Sequence, residues 1–166
     1  MVVDVELEER YWYPDDGGVV WVAGFQPVDP ISGRYLSRDA LELRARGIIV
    51  TRVAGAAQHH AEDLDAEAFS PGRPLALRRE RDNPHDEHAI SVRDAGGALQ
   101  AGWVPRDLAA ALAPRLDAGE RLAAVALRET RASPRDPRTG LTMLVAPAER
   151  IVLREHPRKT RGRARP

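Results

Sequence analysis

The chain has 166 residues, and its 25 basic and 25 acidic side chains cancel at neutral pH. This length suits one domain with an extension, and 43% hydrophobic residues can build a folded core. The absence of cysteine excludes disulfides, thiolate zinc sites and a cysteine nucleophile. No apolar run approaches the roughly 20 residues of a membrane span, and the first residues lack the features of a signal peptide, so we expect a cytoplasmic protein without membrane contact.

Two strands and a helix are predicted in the first 47 residues. Residues 2–7 alternate like a half-buried strand, and residues 19–23 follow an Asp-Gly turn as a second strand. Ser37 is the predicted N-cap of a helix that runs to Arg46 and stops at Gly47. We therefore treat residues 1–47 as a β-rich extension.

Short strands dominate from residue 48 onwards. Strands are predicted at residues 48–53, 74–80, 88–93, 99–104, 121–129 and 141–146. A short helix is predicted at residues 61–68, and an amphipathic helix follows Pro105, with leucines at 108, 112 and 116 and a stop at Gly119. Proline and turn formers make residues 82–86 a loop, and residues 131–140 are predicted to be another. The fold class is mainly β or α+β, with a small antiparallel barrel and one or two short helices.

The charge is unevenly distributed along the chain. Residues 1–18 carry six acidic side chains against one arginine, and residues 154–166 carry six basic side chains against one glutamate. A neutral total therefore does not exclude a nucleic-acid partner. The basic tail, residues 154–166, has almost no apolar residues and is predicted to be disordered, and its charges favour phosphate contacts.

Three segments carry a recognisable pattern. The first is Val53-Ala54-Gly55, followed by Gln58-His59-His60. The second runs without a gap as Arg79-Glu80-Arg81-Asp82-Asn83-Pro84-His85-Asp86-Glu87-His88-Ala89-Ile90-Ser91-Val92. The third is Gly102-Trp103-Val104-Pro105-Arg106, which opens the Ala- and Leu-rich helix. Together they resemble the HIRAN domain over about residues 48–130, so a HIRAN-like domain is predicted at residues 48–153.

The resemblance implies an OB-like barrel that binds nucleic acid and has no catalytic activity of its own. Its expected ligand is single-stranded DNA or a 3′ end, in DNA repair or replication, beside a helicase or nuclease partner. By position, Asn83, His85 and Asp86 line the pocket, and Trp103 forms its wall. Gln58, His59 and His60 stand where the family has a basic residue and two aromatics. Four arginines are candidates for phosphate contacts, namely Arg78, Arg79, Arg81 and Arg106.

The residues themselves fit this chemistry and also allow simpler roles. A carboxylate such as Asp86 suits a terminal 3′-hydroxyl, which donates a hydrogen bond, whereas it repels an internal phosphate. Asn83 and Asp86 could equally hold their own loop by bonds to backbone N–H groups. Trp103 could stack on a base or belong to the core, while Phe25 and Phe69 are expected in the core.

Two rival functions remain open. Four histidines could together bind Zn²⁺ in a phosphoesterase or nuclease site, namely His59, His60, His85 and His88. Against this, adjacent histidines on a strand would point to opposite faces, and no helical metalloprotease motif is present. A protein-interaction adaptor is the other alternative. No phosphate-binding loop or nucleophile motif occurs, so we expect no enzyme activity from the chain alone.

Overall fold

A computed structural model describes residues 3–7, 13–14, 21–29, 31–148 and 153–157. Within these residues the strands are β1 (Val3–Leu7), β2 (Tyr13–Pro14), β3 (Trp21–Val28), β4 (Ile49–Arg52), β5 (Pro74–Arg79), β6 (Ile90–Asp94), β7 (Gln100–Trp103), β8 (Leu122–Arg131), β9 (Arg138–Pro147) and β10 (Leu153–Pro157). The helices are α1 (Leu41–Arg44), α2 (Ala56–His59), α3 (Ala61–Leu64) and α4 (Arg106–Asp117), and a 3-10 turn spans Glu67–Phe69. None of these helices has the length and apolar character needed to span a bilayer.

Six of the strands form a closed antiparallel ring. Strands β4, β9, β8, β5, β6 and β7 pair in that order. The ring closes just beyond β4, where Ala54 and Trp103 of β7 exchange two backbone hydrogen bonds of 2.7 and 2.9 Å. A ring of short antiparallel strands with few helices is a mainly-β, OB-like barrel, which confirms the predicted fold class.

The barrel interior holds the main core. Leu75, Ile90, Val92 and Met143 are buried there, because alternate residues of each strand face inward. Helix α4 packs onto the same cluster through Leu112, with Leu108 and Leu116 partly buried, so the predicted leucine stripe is confirmed. Phe69 is fully buried in this core, as expected.

The extension covers part of the outer face of the barrel and leaves Arg52 exposed. Phe25 and Leu43 pack against Val50, Leu127 and Leu144 in a second buried cluster. Residues 141–146 are mostly apolar and do not alternate, because both faces of β9 are covered here. The burial of Phe25 is as expected, and the extension shares a core with the barrel rather than standing apart.

Strand β8 joins the barrel to the extension. Strand β5 pairs with its first half at Ala124 and Val125, whereas β3 pairs with its second half at residues 128–131. A bulge between Ala126 and Arg128 separates the two halves. Strands β1 and β10 then continue the sheet beyond β3.

Several local predictions are wrong in detail. The helix predicted to start at Ser37 is only Leu41–Arg44, and its N-cap is Ala40, without a side-chain cap bond. The helix ends at Arg44 rather than Arg46, and the turn that follows it closes at Gly47, whose φ is +70°. The predicted helix 61–68 is divided into α3 and the 3-10 turn, and α2 and β2 were not predicted.

The basic tail begins as a strand. Residues 154–157 belong to β10, which pairs in parallel with β1, so the disorder predicted for them is wrong. The reason is tertiary, since the backbone of β1 supplies hydrogen-bond partners that composition does not reveal. Residues 158–166 lie outside the described residues, as do the side chains of Trp12 and Trp21.

Candidate nucleic-acid interface

The loop between β5 and β6, which we call the Asn83 loop, is held by its own polar side chains. The Oδ1 atom of Asn83 accepts hydrogen bonds from the backbone N–H groups of His85, at 2.9 Å, and Asp86, at 3.2 Å. The Oδ1 atom of Asp86 accepts the N–H of His88 at 2.9 Å. Asn83 and Asp86 therefore both stabilise the backbone of their own loop. This role leaves the amide nitrogen of Asn83 and the second carboxylate oxygen of Asp86 for other partners.

Arg79 fastens the end of this loop from inside the fold. It lies opposite Ile90 and on the same face of β5 as Leu75 and Leu77, so only 14% of its side chain is exposed. Its guanidinium donates to the carbonyls of Ala89, at 2.9 Å, and Glu87, at 3.0 Å. Arg79 therefore positions the loop rather than presenting its charge to solvent.

Asp117 of α4 pairs with two arginines of the candidate set. Its carboxylate accepts from Nε of Arg79 at 2.9 Å and from Nη2 of Arg81 at 3.0 Å. These hydrogen bonds, first from Arg79 and then from Arg81, hold the pKa of Asp117 below its ordinary value. The side chain of Arg81 is 67% exposed, so Arg81 remains accessible to a phosphate.

An Asp117→Asn variant is expected to be less stable than the wild type at pH 7 and equally stable in acid. A carboxyl whose pKa is depressed by folding stabilises the protein above its unfolded pKa, and this contribution is lost as the pH falls through the folded value. Urea unfolding at pH 7 and at several values below about pH 4 measures the difference. The same difference at every pH would show that the ion pairs of Asp117 do not stabilise the fold.

Arg106 fastens the middle of the loop from outside. It is the first residue of α4, and its Nη2 donates to the carbonyl of His85 at 2.6 Å. Its Nε lies 3.8 Å from Oδ2 of Asp86. The Arg106 side chain is 73% exposed and that of Asp86 is 20% exposed. The structure thus brings an acceptor and a cationic donor together at the surface of this loop.

Trp103 lies half-buried on the outward face of β7, beside the same loop. Its Nε1 donates to Glu80 at 2.7 Å, and the backbone carbonyl of Glu80 accepts the N–H of Asn83 at 3.1 Å. Glu80 therefore connects the indole to the Asn83 loop. We did not single out Glu80 from the sequence, although it is the acidic residue of the motif, three positions before Asn83.

His59 and His60 both contact the indole of Trp103. Their ring centroids lie 5.6 and 5.0 Å from that of the indole, His59 edge-on and His60 tilted. The expectation that the two histidines face apart on a strand is wrong, because α2 ends at His59 and carries them on a helical turn. Gln58 is exposed on the same helix.

The histidines do not form a metal site in the part of the chain that the structure describes. There, no three side chains of His, Asp or Glu come close enough together to hold a metal ion. His59 and His60 lie against Trp103, while His88 is 3.6 Å from Glu87 and His85 is exposed on the loop. The zinc alternative therefore gains no support from the geometry.

Comparisons with known proteins agree with the motif. The chain is similar to the HIRAN domain of human HLTF, at 25% identity over 60% of this chain and 74% of that one, with a TM-score of 0.44. It is also similar to a protein from Lactobacillus plantarum, at 22% identity over 58% of this chain and 89% of that one, with a TM-score of 0.44. An NMR structure of the human HLTF HIRAN domain in its DNA-bound conformation matches at 22% identity over 62% and 78% of the two chains, with a TM-score of 0.36. A search of curated proteins found no significant match.

The family model gives the assignment. The HIRAN domain model matches residues 48–145, which is more than half of the 166 residues. The matched range contains the six barrel strands except the last two residues of β9, together with the Asn83 loop and Trp103. The chain therefore belongs to the HIRAN domain family.

Proposed function

We propose that this chain is a cytoplasmic, non-catalytic module that binds single-stranded DNA, preferably at its 3′ end, during DNA repair or replication. The observation that carries the proposal is the joint placement of Asp86, Arg106 and Trp103 around one loop. Membership of the HIRAN family supports it, since the human HLTF member has been solved in a DNA-bound conformation.

The three side chains offer complementary chemistry to a strand end. The carboxylate of Asp86 accepts a hydrogen bond from a terminal 3′-hydroxyl, and it repels an internal phosphate at the same position. The exposed guanidinium of Arg106 suits the nearest phosphate, and the positive end of α4 adds to its charge. The indole of Trp103 offers a face for base stacking, and Glu80 links it to the Asn83 loop.

No helicase or nuclease motif accompanies this interface. The sequence has no phosphate-binding loop of an ATPase, so we propose that a partner protein supplies any ATP-driven or nucleolytic step. Large apolar side chains on the extension are exposed where a partner could contact them, namely Ile31 at 91% and Leu41 at 76%.

The end preference is testable by fluorescence anisotropy. Labelled single strands with a free 3′-hydroxyl are expected to bind about tenfold more tightly than the same strands with a 3′-phosphate, the effect of one charge-assisted hydrogen bond. Asp86→Asn should abolish this preference without unfolding the protein, because an amide oxygen can still accept the N–H of His88. Asp136→Asn removes the same charge in the β8–β9 turn and should leave the preference intact.

Three results would contradict the proposal. Equal binding of both strands, with strong salt dependence, would indicate a general basic surface. No binding of either strand would remove the nucleic-acid function altogether. Binding is expected to be the same with and without a chelator, and chelator-sensitive cleavage would instead favour a metal-dependent nuclease.

A further inference from the structure

The outward face of the barrel continues from Trp103 onto three neighbouring strands. Ala54 bridges to Trp103, and Arg52 lies two residues earlier on the same face of that strand. Across the sheet, Arg52 pairs with Thr142 of β9, and Thr142 pairs with Arg128 of β8. Because paired residues share a face, Trp103, Arg52 and Arg128 all lie on the outside of the barrel. Two strand spacings, about 10 Å, separate the backbones at Arg52 and Arg128.

Glycines make room for both arginine side chains. Nη2 of Arg52 and Oγ1 of Thr130 both lie within 3.3 Å of the point where a Cβ of Gly140 would stand. A guanidinium and a hydroxyl therefore converge above Gly140. Gly24 lies on β3, next to Arg128 of β8. The Cγ atom of Arg128 lies 3.1 Å from the point where a Cβ of Gly24 would stand, so the Arg128 side chain passes over that glycine.

Arg52 brings a positive charge to this face. Arg52 is exposed, and within the described ranges no carboxylate lies within ion-pair distance of it. Nη1 of Arg128 donates to the carbonyl of Phe25 at 3.3 Å, which fixes the side chain in place.

Guanidinium and hydroxyl donors beside Gly140 and Gly24 suit a phosphodiester backbone. Arginine binds phosphate oxygens through several donors at once, and a hydroxyl adds a further donor. Neither contact reads a base, so the patch adds affinity without sequence preference. Sites on OB-like barrels extend over about 4–16 nucleotides, which is more than the Asn83 loop and Trp103 alone can hold.

We propose that a single strand held at Trp103 continues across the outer face of β4, β9 and β8, where Arg52 and Arg128 contact its phosphates. The inference rests on the proposed function and extends its site beyond the strand end. It predicts that binding strength depends on the length of the strand and that the extra affinity of longer strands depends on Arg52.

The test compares a thymidine dinucleotide with a thymidine dodecamer, both with a free 3′-hydroxyl, by fluorescence anisotropy. Arg52→Gln is expected to weaken dodecamer binding about three- to tenfold and to lower the slope of log K against log salt by about 0.7, the value for one phosphate contact on a single strand. Dinucleotide binding should change less than about twofold, since its single phosphate is the one assigned to Arg106. Arg52→Lys keeps the charge and should retain most of the dodecamer affinity.

Arg121→Gln is the matched control. Arg121 is exposed just before β8, about 23 Å along the strand from Arg128, so its loss should leave both affinities unchanged. Dodecamer binding by Arg52→Gln at the level of the wild type or of Arg121→Gln would overturn the inference and leave the proposed function standing. An equal loss for both oligonucleotides would also overturn it, because Arg52 would then act at the strand end. If the wild type binds neither oligonucleotide, the proposed function and the inference both fail.

Discussion

Replacing Arg138 with alanine is expected to lower the free energy of unfolding by about 3–5 kcal/mol, the cost of breaking a buried ion pair from one side. Arg138 is only 4% exposed, and its Nε donates to the buried carboxylate of Glu129 at 2.5 Å. Its Nη1 donates to the carbonyls of Leu64, at 2.6 Å, and Ala66, at 2.9 Å, and Nη2 donates to Ser70 at 3.3 Å. The variant leaves a buried carboxylate without its main partner and two carbonyls without donors.

Urea unfolding followed by far-UV circular dichroism measures this loss. Arg135→Ala removes an exposed arginine from the adjacent turn and should change the stability by less than about 0.5 kcal/mol. The double variant Arg138→Met, Glu129→Leu removes both charges and should recover only the part of the loss that comes from the unpaired carboxylate, because the carbonyls of Leu64 and Ala66 still lack their donors. A loss of less than about 1 kcal/mol in Arg138→Ala would mean that solvent reaches this network.

Replacing Trp103 with alanine is expected to weaken single-strand binding by about 10- to 100-fold, because stacking contributes about 1–3 kcal/mol per base. The indole is held for this role by the hydrogen bond from its Nε1 to Glu80 at 2.7 Å. Gly55 makes the close packing possible, since a Cβ there would lie 3.0 Å from the ring. Fluorescence anisotropy with a short strand ending in a free 3′-hydroxyl gives the affinity.

A second variant separates stacking from stability. Trp103→Phe keeps an aromatic face and loses the hydrogen bond to Glu80, so its affinity should lie between those of the wild type and Trp103→Ala. Phe69→Ala opens a cavity in the barrel core away from this surface and controls for a general loss of stability. Normal binding by a folded Trp103→Ala protein would exclude the indole from the interface.

The motif from Arg79 to Val92 is explained by what each residue does in this loop. Arg79 and Arg106 fasten the loop backbone, and Asn83 organises the turn between them. Glu80 fixes the indole, while Ile90 and Val92 anchor the following strand in the core. Most of the pattern therefore builds a rigid loop, and a smaller part of it, chiefly the carboxylate of Asp86, stays available for a ligand.

Local chemistry in the sequence was enough to predict the barrel strands, the α4 helix and the Asn83 loop. Residues 74–80 alternate with the period of a strand, and the leucines at 108, 112 and 116 follow the period of a helix. Both patterns predict the structure correctly because each element buries one face in the core. Asn83-Pro84 predicted a loop for an equally local reason, since proline disfavours helix at the residue before it. The family resemblance then indicated that the Asn83 loop belongs to the candidate site.

The partners of each side chain were decided only by the tertiary structure. Arg79 and Arg81 look equivalent in the sequence, yet the strand face and the position of Asp117 on α4 bury the first and expose the second. The extension and β10 pack and pair with distant segments, contacts between residues far apart in the chain that no local pattern encodes. The sequence by itself thus determined the barrel strands, α4 and the loop, and long-range packing determined which charges are exposed to a ligand.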